Sequence, residues 1–423
     1  MPSISHRISL AARIVCPVGG PPLDDGVVEI GDGLILEVHQ RPHAETLHLG
    51  NVAILPGLVN AHTHLEFSNL QSPLGPPKPF AAWIGSVVAE RRRRCRPDAA
   101  GSSRAEADPI ARGLRECFAT GTSVVADIVT GALADADNLE QVQRAIQAGR
   151  LIPFPELISP TPAGVSATLD KAREYARTVS DHTGDAEVGL SPHAPYTVTR
   201  ELLDRAVQWA DADMRPLAMH VAETREELEL LEMGTGPLAE MPQRIGQWDP
   251  EALGVGGGLT PVLKALSQGR RTLLVHGNYL IDKDLQFIEG HPGMSLVYCP
   301  RTHEYFGHDP WPLEQALERQ ITVALGTDSR ASNPDLNLWE EAKTVSRRFP
   351  QLAPDAIFKM ATIEGARALG IGHRFGTLAI GKSGDLCCVQ LAGRGSDPLR
   401  AALHPDARVV GSMHAGEWVT YPL

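Results

Sequence analysis

Apolar and polar positions along this 423-residue chain fall into two rhythms. Up to about residue 50, short apolar runs at 12–14, 27–30 and 34–38 alternate with turns, and Gly31-Asp32-Gly33 separates the last two. Residues 385–391, 407–410 and 417–419 repeat that style at the other end. Both termini therefore predict strands of one small β-sandwich domain. The centre differs. Eight short apolar runs, most followed by a loop and a helical pattern, occupy 52–58, 123–128, 151–158, 187–190, 216–219, 271–275, 295–298 and 321–325. Helix-like stretches lie among them at 108–120, 138–148, 169–179 and 199–211. Strand–helix alternation predicts a parallel sheet, and eight repeats predict an α/β fold of the (β/α)₈ TIM-barrel type. The expected organisation is 1–51 and 377–423 as the two parts of the β-sandwich domain, with 52–376 as the barrel. An open doubly wound sheet is the alternative. It usually carries a glycine-rich phosphate loop after a strand, and the glycines at 254–258 do not follow one.

Composition narrows the function. A formal net charge of −12 argues against nucleic acid and anionic membranes as partners, leaving a small-molecule substrate. The four arginines at 91–94 are the exception and read as a solvated helix face rather than a polyanion site. No apolar run reaches the roughly 18 residues of a membrane span. The N-terminus reads as a strand rather than a secretory leader. Cysteines at 16, 95, 117, 299, 387 and 388 form no CxxC pair or disulfide framework, so the expected compartment is the cytoplasm. Residues 73–79 and 96–103, rich in Pro, Gly or Ser, read as loops over the barrel mouth.

Candidate chemistry gathers at the predicted strand ends, where barrel enzymes place their sites. The first run ends in His62 and His64, which share a face if the segment is extended. The fourth ends in His193, the fifth in His220 with Glu223 three residues on, the sixth in His276, and the seventh leads to Arg301 and His303. The eighth ends in Asp328. A single histidine at such a place is usually a packing or surface residue; the shared location of many is what points to a metal. His62, His64 and His220 supply three nitrogens and Asp328 an oxygen, leaving a position for water as in catalytic zinc sites. Glu223 is the candidate general acid/base, and His276 a candidate to orient water or stabilise an oxyanion. Asp328 has a second candidate role as acceptor of the water's proton. Asp127, near the end of the second run, is an acidic alternative read as structural because no histidine accompanies it. Neither GxSxG nor HExxH occurs, and His64-Leu65-Glu66 lacks the PCxxC that would complete the other zinc-deaminase motif.

The segments PGLVNAHTHLE, SPHAPYTV, HVAET, LVHGNYL, CPRTHEYFGH, LGTDSRASN and MATIEGARALG…GTLAIGKSGDL span most of the chain. With them the sequence resembles the amidohydrolase superfamily, in the branch of ATZ/TRZ-type hydrolases and aminopurine nucleoside deaminases. The resemblance implies metal ligation by His62, His64, His220 and Asp328, with Glu223, His276 and Asp328 catalytic and His193 against substrate. Binuclear members bridge two ions with a carboxylated lysine at the end of strand four. This chain has Ser191-Pro192-His193 there, which implies one divalent ion, zinc ahead of iron. Many members carry cysteine after the strand-six histidine, where this chain has Gly277. The implied reaction is hydrolytic deamination of an aminopurine nucleoside: aminodeoxyfutalosine, adenosine, methylthioadenosine or S-adenosylhomocysteine. Alternatives are s-triazine dechlorination, cyclic-amide opening, or a non-catalytic metal-binding scaffold. Residues 64–68 with 80–84 resemble aminodeoxyfutalosine deaminases. Glu66 then has two readings, a ribose contact or a helix cap; Phe80 and Trp83 line the entrance, or Trp83 packs in the core; Arg301 binds a substrate carboxylate or makes a salt bridge. Similar proteins are commonly homodimers.

Overall fold

The structure is a computed structural model and describes residues 7–94, 108–131, 139–184 and 186–422. Cys95 and the loop expected at 96–103 lie outside the described residues, as do the starts of the first strand region and of the helix expected at 138–148.

The central strands, in chain order, are Leu58–Thr63, Thr122–Val129, Leu151–Leu157, Ser191–Pro192, Leu217–Val221, Thr272–His276, Met294–Tyr298 and Val323–Leu325. The first four pair in parallel as one sheet and the last four as another. Two parallel bridges join the halves, Leu190 to Leu217 and Thr63 to Asp328, and close an eight-stranded barrel. At the second seam Asn60 Nδ2 donates to Thr327 Oγ1 at 2.8 Å, while Asn60 Oδ1 accepts from the Thr327 amide at 3.1 Å. The strands are buried along nearly their whole length, which fits continuous apolar runs covered on both faces. Helices such as Pro109–Ala119, Val165–Thr183 and Arg200–Ala212 bury one side against the barrel.

Two sheets from the chain ends share a separate core around Leu10, Ile30, Ile54 and Leu386. One has four strands: Leu34–His39, Val27–Gly31, Arg7–Ala11 and Leu47–His48. The other runs Glu417–Thr420, Arg408–His414, Leu386–Gln390, Val52–Pro56, Ile14–Val15 and Leu23–Asp24. Asp32 (φ 51°) and Gly33 (φ 79°) form the turn between Val27–Gly31 and Leu34–His39, both left-handed as a tight hairpin requires.

The apolar run at 52–58 divides. Val52–Pro56 pairs antiparallel with Leu386–Gln390 in the β sheet, and the barrel begins only at Leu58. Gly57 makes the crossing possible, because a Cβ there would lie 1.7 Å from Ser123 Oγ. The fourth strand is also displaced from 187–190 to Ser191–Pro192, with Leu190 contributing only a bridge. No helix of the described residues is long and apolar enough to cross a membrane.

Candidate active site

At the C-terminal rim, His62, His64 and Asp328 offer ligand atoms within 4.8 Å of one another, and so do His62, His220 and His276. Strand alternation puts His62 and His64 on one face, and the Thr63–Asp328 bridge brings the eighth strand alongside them. His64 Nε2 and His220 Nε2 approach to 3.3 Å, and Asp328 Oδ1 lies 3.6 Å from His62 Nε2 and 3.7 Å from His64 Nε2. Tetrahedral ligands about 2.0–2.1 Å from zinc are separated by roughly 3.4 Å, so the spacing suits one small ion. The hydrogen bonds around the cluster agree. His220 Nδ1 donates to the His193 carbonyl at 2.8 Å, which leaves Nε2 as the bare nitrogen facing the cluster. Ser332 Oγ donates to Asp328 Oδ2 at 2.7 Å, freeing Oδ1 for the histidines. Both ring nitrogens of His62 and Nδ1 of His64 are buried without a hydrogen-bond partner. Such atoms are costly unless something else satisfies them. Burial pushes the His64, His220 and His276 pKa values well below the usual range and keeps these imidazoles neutral, the form that ligates metal. Burial opposes ionisation of Asp328, but the adjacent imidazoles, His62 foremost, more than reverse it.

Glu223 completes the group. It is 6% exposed, and its Oε1 lies 3.6 Å from His276 Nε2. Burial, then the negative charges of Asp328 and Glu227, push its carboxyl well above the ordinary range. The rim backbone is bent to fit: Ala222 (φ 49°), His276 (φ 68°) and Asp328 (φ 55°) are all left-handed, a conformation non-glycine residues seldom adopt. Gly277 continues the turn at φ 60°. A side chain there would be strained, so glycine at this position serves the backbone.

A cavity of about 280 Å³ opens onto the cluster. His64, His193, His220, Glu223, His276, Asp328 and Trp83 line it. Its roof is one face of the helix Phe80–Arg94, which presents Phe80, Trp83, Ile84, Val87, Val88 and Arg91. His62 lies beneath, fully buried.

Two expected substrate contacts are placed elsewhere. Glu66 does not line the cavity; its carboxylate accepts from Arg91 Nη2 at 2.7 Å and Arg94 Nη2 at 3.1 Å. Arg301 is held by Asp335 through Nη1 at 2.7 Å and Nη2 at 3.1 Å, with Glu341 nearby, and also lies off the cavity. His303 Nε2 donates to the Asp309 carbonyl at 2.8 Å. Asp127 Oδ1 accepts from the Leu65 amide at 2.7 Å and from Thr63 Oγ1 at 3.1 Å, so it braces the loop carrying the histidines. The solvated-face reading of 91–94 is corrected in part. Arg92 and Arg93 are exposed, but Arg91 and Arg94 turn inward over Phe67, 5.6 and 4.7 Å from its ring centre. Three site features escaped the sequence: Arg91 on the cavity wall, Glu156 behind it with its side chain 3% exposed, and Glu227 behind Glu223. A signal for Glu227 was present, since Thr224 followed three residues later by Glu is a capping-box pattern.

A closed parallel barrel that gathers four buried histidines, an aspartate and a buried glutamate at its mouth fits a metal-dependent barrel hydrolase. Known proteins place it further. The pattern of the Amidohydrolase family matches residues 53–419. Over 371 residues the chain is 33% identical to the aminodeoxyfutalosine deaminase of Deinococcus radiodurans, covering 84% of this chain and 83% of that one. It is 28% identical to the 5-methylthioadenosine/S-adenosylhomocysteine deaminase of Nitratidesulfovibrio vulgaris over 89% of this chain and 82% of the relative. The crystal structure of Helicobacter pylori aminofutalosine deaminase in complex with methylthio-coformycin superposes with a TM-score of 0.78 at 22% identity, covering 97% of this chain and 99% of that one. The chain belongs to the Amidohydrolase family and is a hydrolase acting on C–N bonds. Members use a divalent metal, and the His/Asp cluster fits one.

Proposed function

We propose that the protein deaminates an aminopurine nucleoside hydrolytically, using one zinc ion held by His62, His64, His220 and Asp328. The observation that carries this reading is a buried glutamate facing the cavity 3.6 Å from His276, on the same rim as the partnerless imidazole nitrogens of His62 and His64. The deaminase names of the relatives support the substrate class. No lysine lines the cavity among the described residues, which supports one ion rather than a bridged pair. When bound, the ion supplies Lewis-acid activation of water near neutral pH.

The chain's own residues carry the protons. Glu223 takes a proton as water attacks the amino-bearing ring carbon and delivers it to the ring nitrogen. Its raised proton affinity favours the delivering form. Neutral His276, 3.6 Å from Glu223, orients the attacking oxygen; Asp328 accepts the remaining hydroxyl proton as the carbonyl forms and passes it to the amino group, which leaves as ammonia. The apolar roof excludes bulk water. His193 Nδ1 is tied to Thr197 Oγ1 at 2.7 Å, which fixes its ring against the cavity for substrate contact. The reading keeps the cytoplasm as compartment and a homodimer as assembly, the latter checked by solution sizing.

The test is ammonia release by zinc-loaded protein from aminodeoxyfutalosine, methylthioadenosine, S-adenosylhomocysteine and adenosine. Turnover of at least one of them is expected. Chloride release from an s-triazine with no ammonia from any nucleoside would overturn the reading.

A further inference from the structure

Glu227 is fully buried, and its carboxylate is spent entirely on backbone. Oε1 accepts from the Ala222 amide at 2.7 Å and Oε2 from the Glu223 amide at 2.9 Å. Its own amide donates to Thr224 Oγ1 at 3.1 Å. The ordinary account is a capping box at the start of the helix Arg225–Met233, with Thr224 as N-cap. The geometry goes beyond that account. A capping box returns the carboxylate to the N-cap amide, here Thr224, and this one also reaches one and two residues further back. The two amides it grips flank the left-handed bend at Ala222, where the chain leaves the fifth barrel strand. That bend sets where the Glu223 side chain points. Asn278 Nδ2 holds the Glu223 carbonyl at 3.0 Å from the sixth-strand side. The Glu223 peptide is thus fixed at both polar groups by buried side chains, while its carboxyl faces the cavity.

We propose that Glu227 is a positioning residue for the reaction: by gripping the Ala222 and Glu223 amides it holds the bend that aims Glu223 at the reacting centre. The inference rests on the reading of Glu223 as proton carrier. A carboxylate is required because both amides need an acceptor. In Glu227→Gln the side-chain NH₂ meets one of the two N–H groups and cannot accept from it. Displacement of a catalytic group by about 1 Å costs on the order of 10²-fold in rate.

The experiment compares zinc-loaded wild type, Glu227→Gln and Thr224→Ala. It measures hydrogen exchange at the Ala222 and Glu223 amides, zinc content, thermal stability, and kcat and KM on the nucleoside that wild type turns over fastest. Glu227→Gln should raise exchange at those amides at least about tenfold and lower kcat by roughly 10–100-fold, with zinc retained and KM within about threefold. Thr224→Ala should lose thermal stability but keep the amide protection and most of kcat. Unchanged protection in Glu227→Gln, a kcat loss that only tracks lost zinc or lost folded protein, or the same kinetic loss in Thr224→Ala would each overturn the proposal. If wild type deaminates no nucleoside, the functional reading fails, and the exchange comparison still decides whether Glu227 holds the bend.

Discussion

Two buried polar clusters sit at opposite ends of the barrel and are built differently. At the base, Asp385 precedes a strand of the β sheet and meets Arg150, which precedes the third barrel strand. Arg150 reaches Asp385 through Nη1 at 2.6 Å and Nη2 at 3.1 Å, while Ser383 Oγ and the Ala415 amide each donate to Asp385 Oδ1 at 2.7 Å. Both carboxylate oxygens are therefore satisfied by protein. At the rim, His62 and His64 are equally buried, yet three of their ring nitrogens have no hydrogen-bond partner. The rim also carries three non-glycine residues in left-handed backbone. A polar cluster complete in itself is a structural joint. One that is buried and incomplete is arranged for something the chain does not provide.

The contrast predicts that damage at the rim removes chemistry and damage at the base removes stability. The largest effect is expected from His62→Ala, which should abolish metal retention and lower turnover by more than the about 10–100-fold typical of losing a ligand's outer partner. Elemental analysis and rate on one preparation check it. Glu223→Gln comes next. Zinc content should stay near wild type while kcat falls by about 10²–10⁴-fold; loss of metal with activity would make Glu223 a ligand instead, and full activity would remove it from the mechanism.

At the base the expectation reverses. Arg150→Ala leaves Asp385 buried without its cation and should cost about 3–5 kcal/mol in denaturant unfolding, with kcat per folded molecule unchanged. The smallest effect concerns pH. Burial would raise the Asp385 pKa, but hydrogen bonding and charge from Arg150 hold it below the ordinary aspartate value. Its contribution is therefore present in full above about pH 4 and is lost as pH falls through the lower folded value. The stability gap between wild type and Asp385→Asn should narrow on going from pH 6 towards pH 3. A gap that widens there would contradict the assignment.

The rim was more legible in sequence than the base. Ligand candidates at strand ends announce themselves locally, because His62 and His64 are two apart and Glu223 is three past His220. The base joint links residues 235 positions apart and leaves no local trace. The same limit hid Glu156, which nears Arg91 Nη1 at 3.5 Å and His193 Nε2 at 3.9 Å only once the barrel has closed. The run at 52–58 looked like one strand because the β sheet and the barrel demand the same apolar residues; only the crowding of Ser123 against Gly57 separates them. Among the arginines at 91–94, charge alone gave no means of distinguishing the two that reach Glu66 from the two on the exposed face.

The most direct test of the central claim is a zinc titration of chelator-stripped protein, followed by ammonia release from aminodeoxyfutalosine and the other aminopurine nucleosides. The rate should start near zero, rise linearly with added zinc, and level off at about one equivalent per chain. Full turnover in stripped protein, a plateau at two equivalents, or no ammonia from any of the nucleosides at any loading would contradict a single-metal nucleoside deaminase.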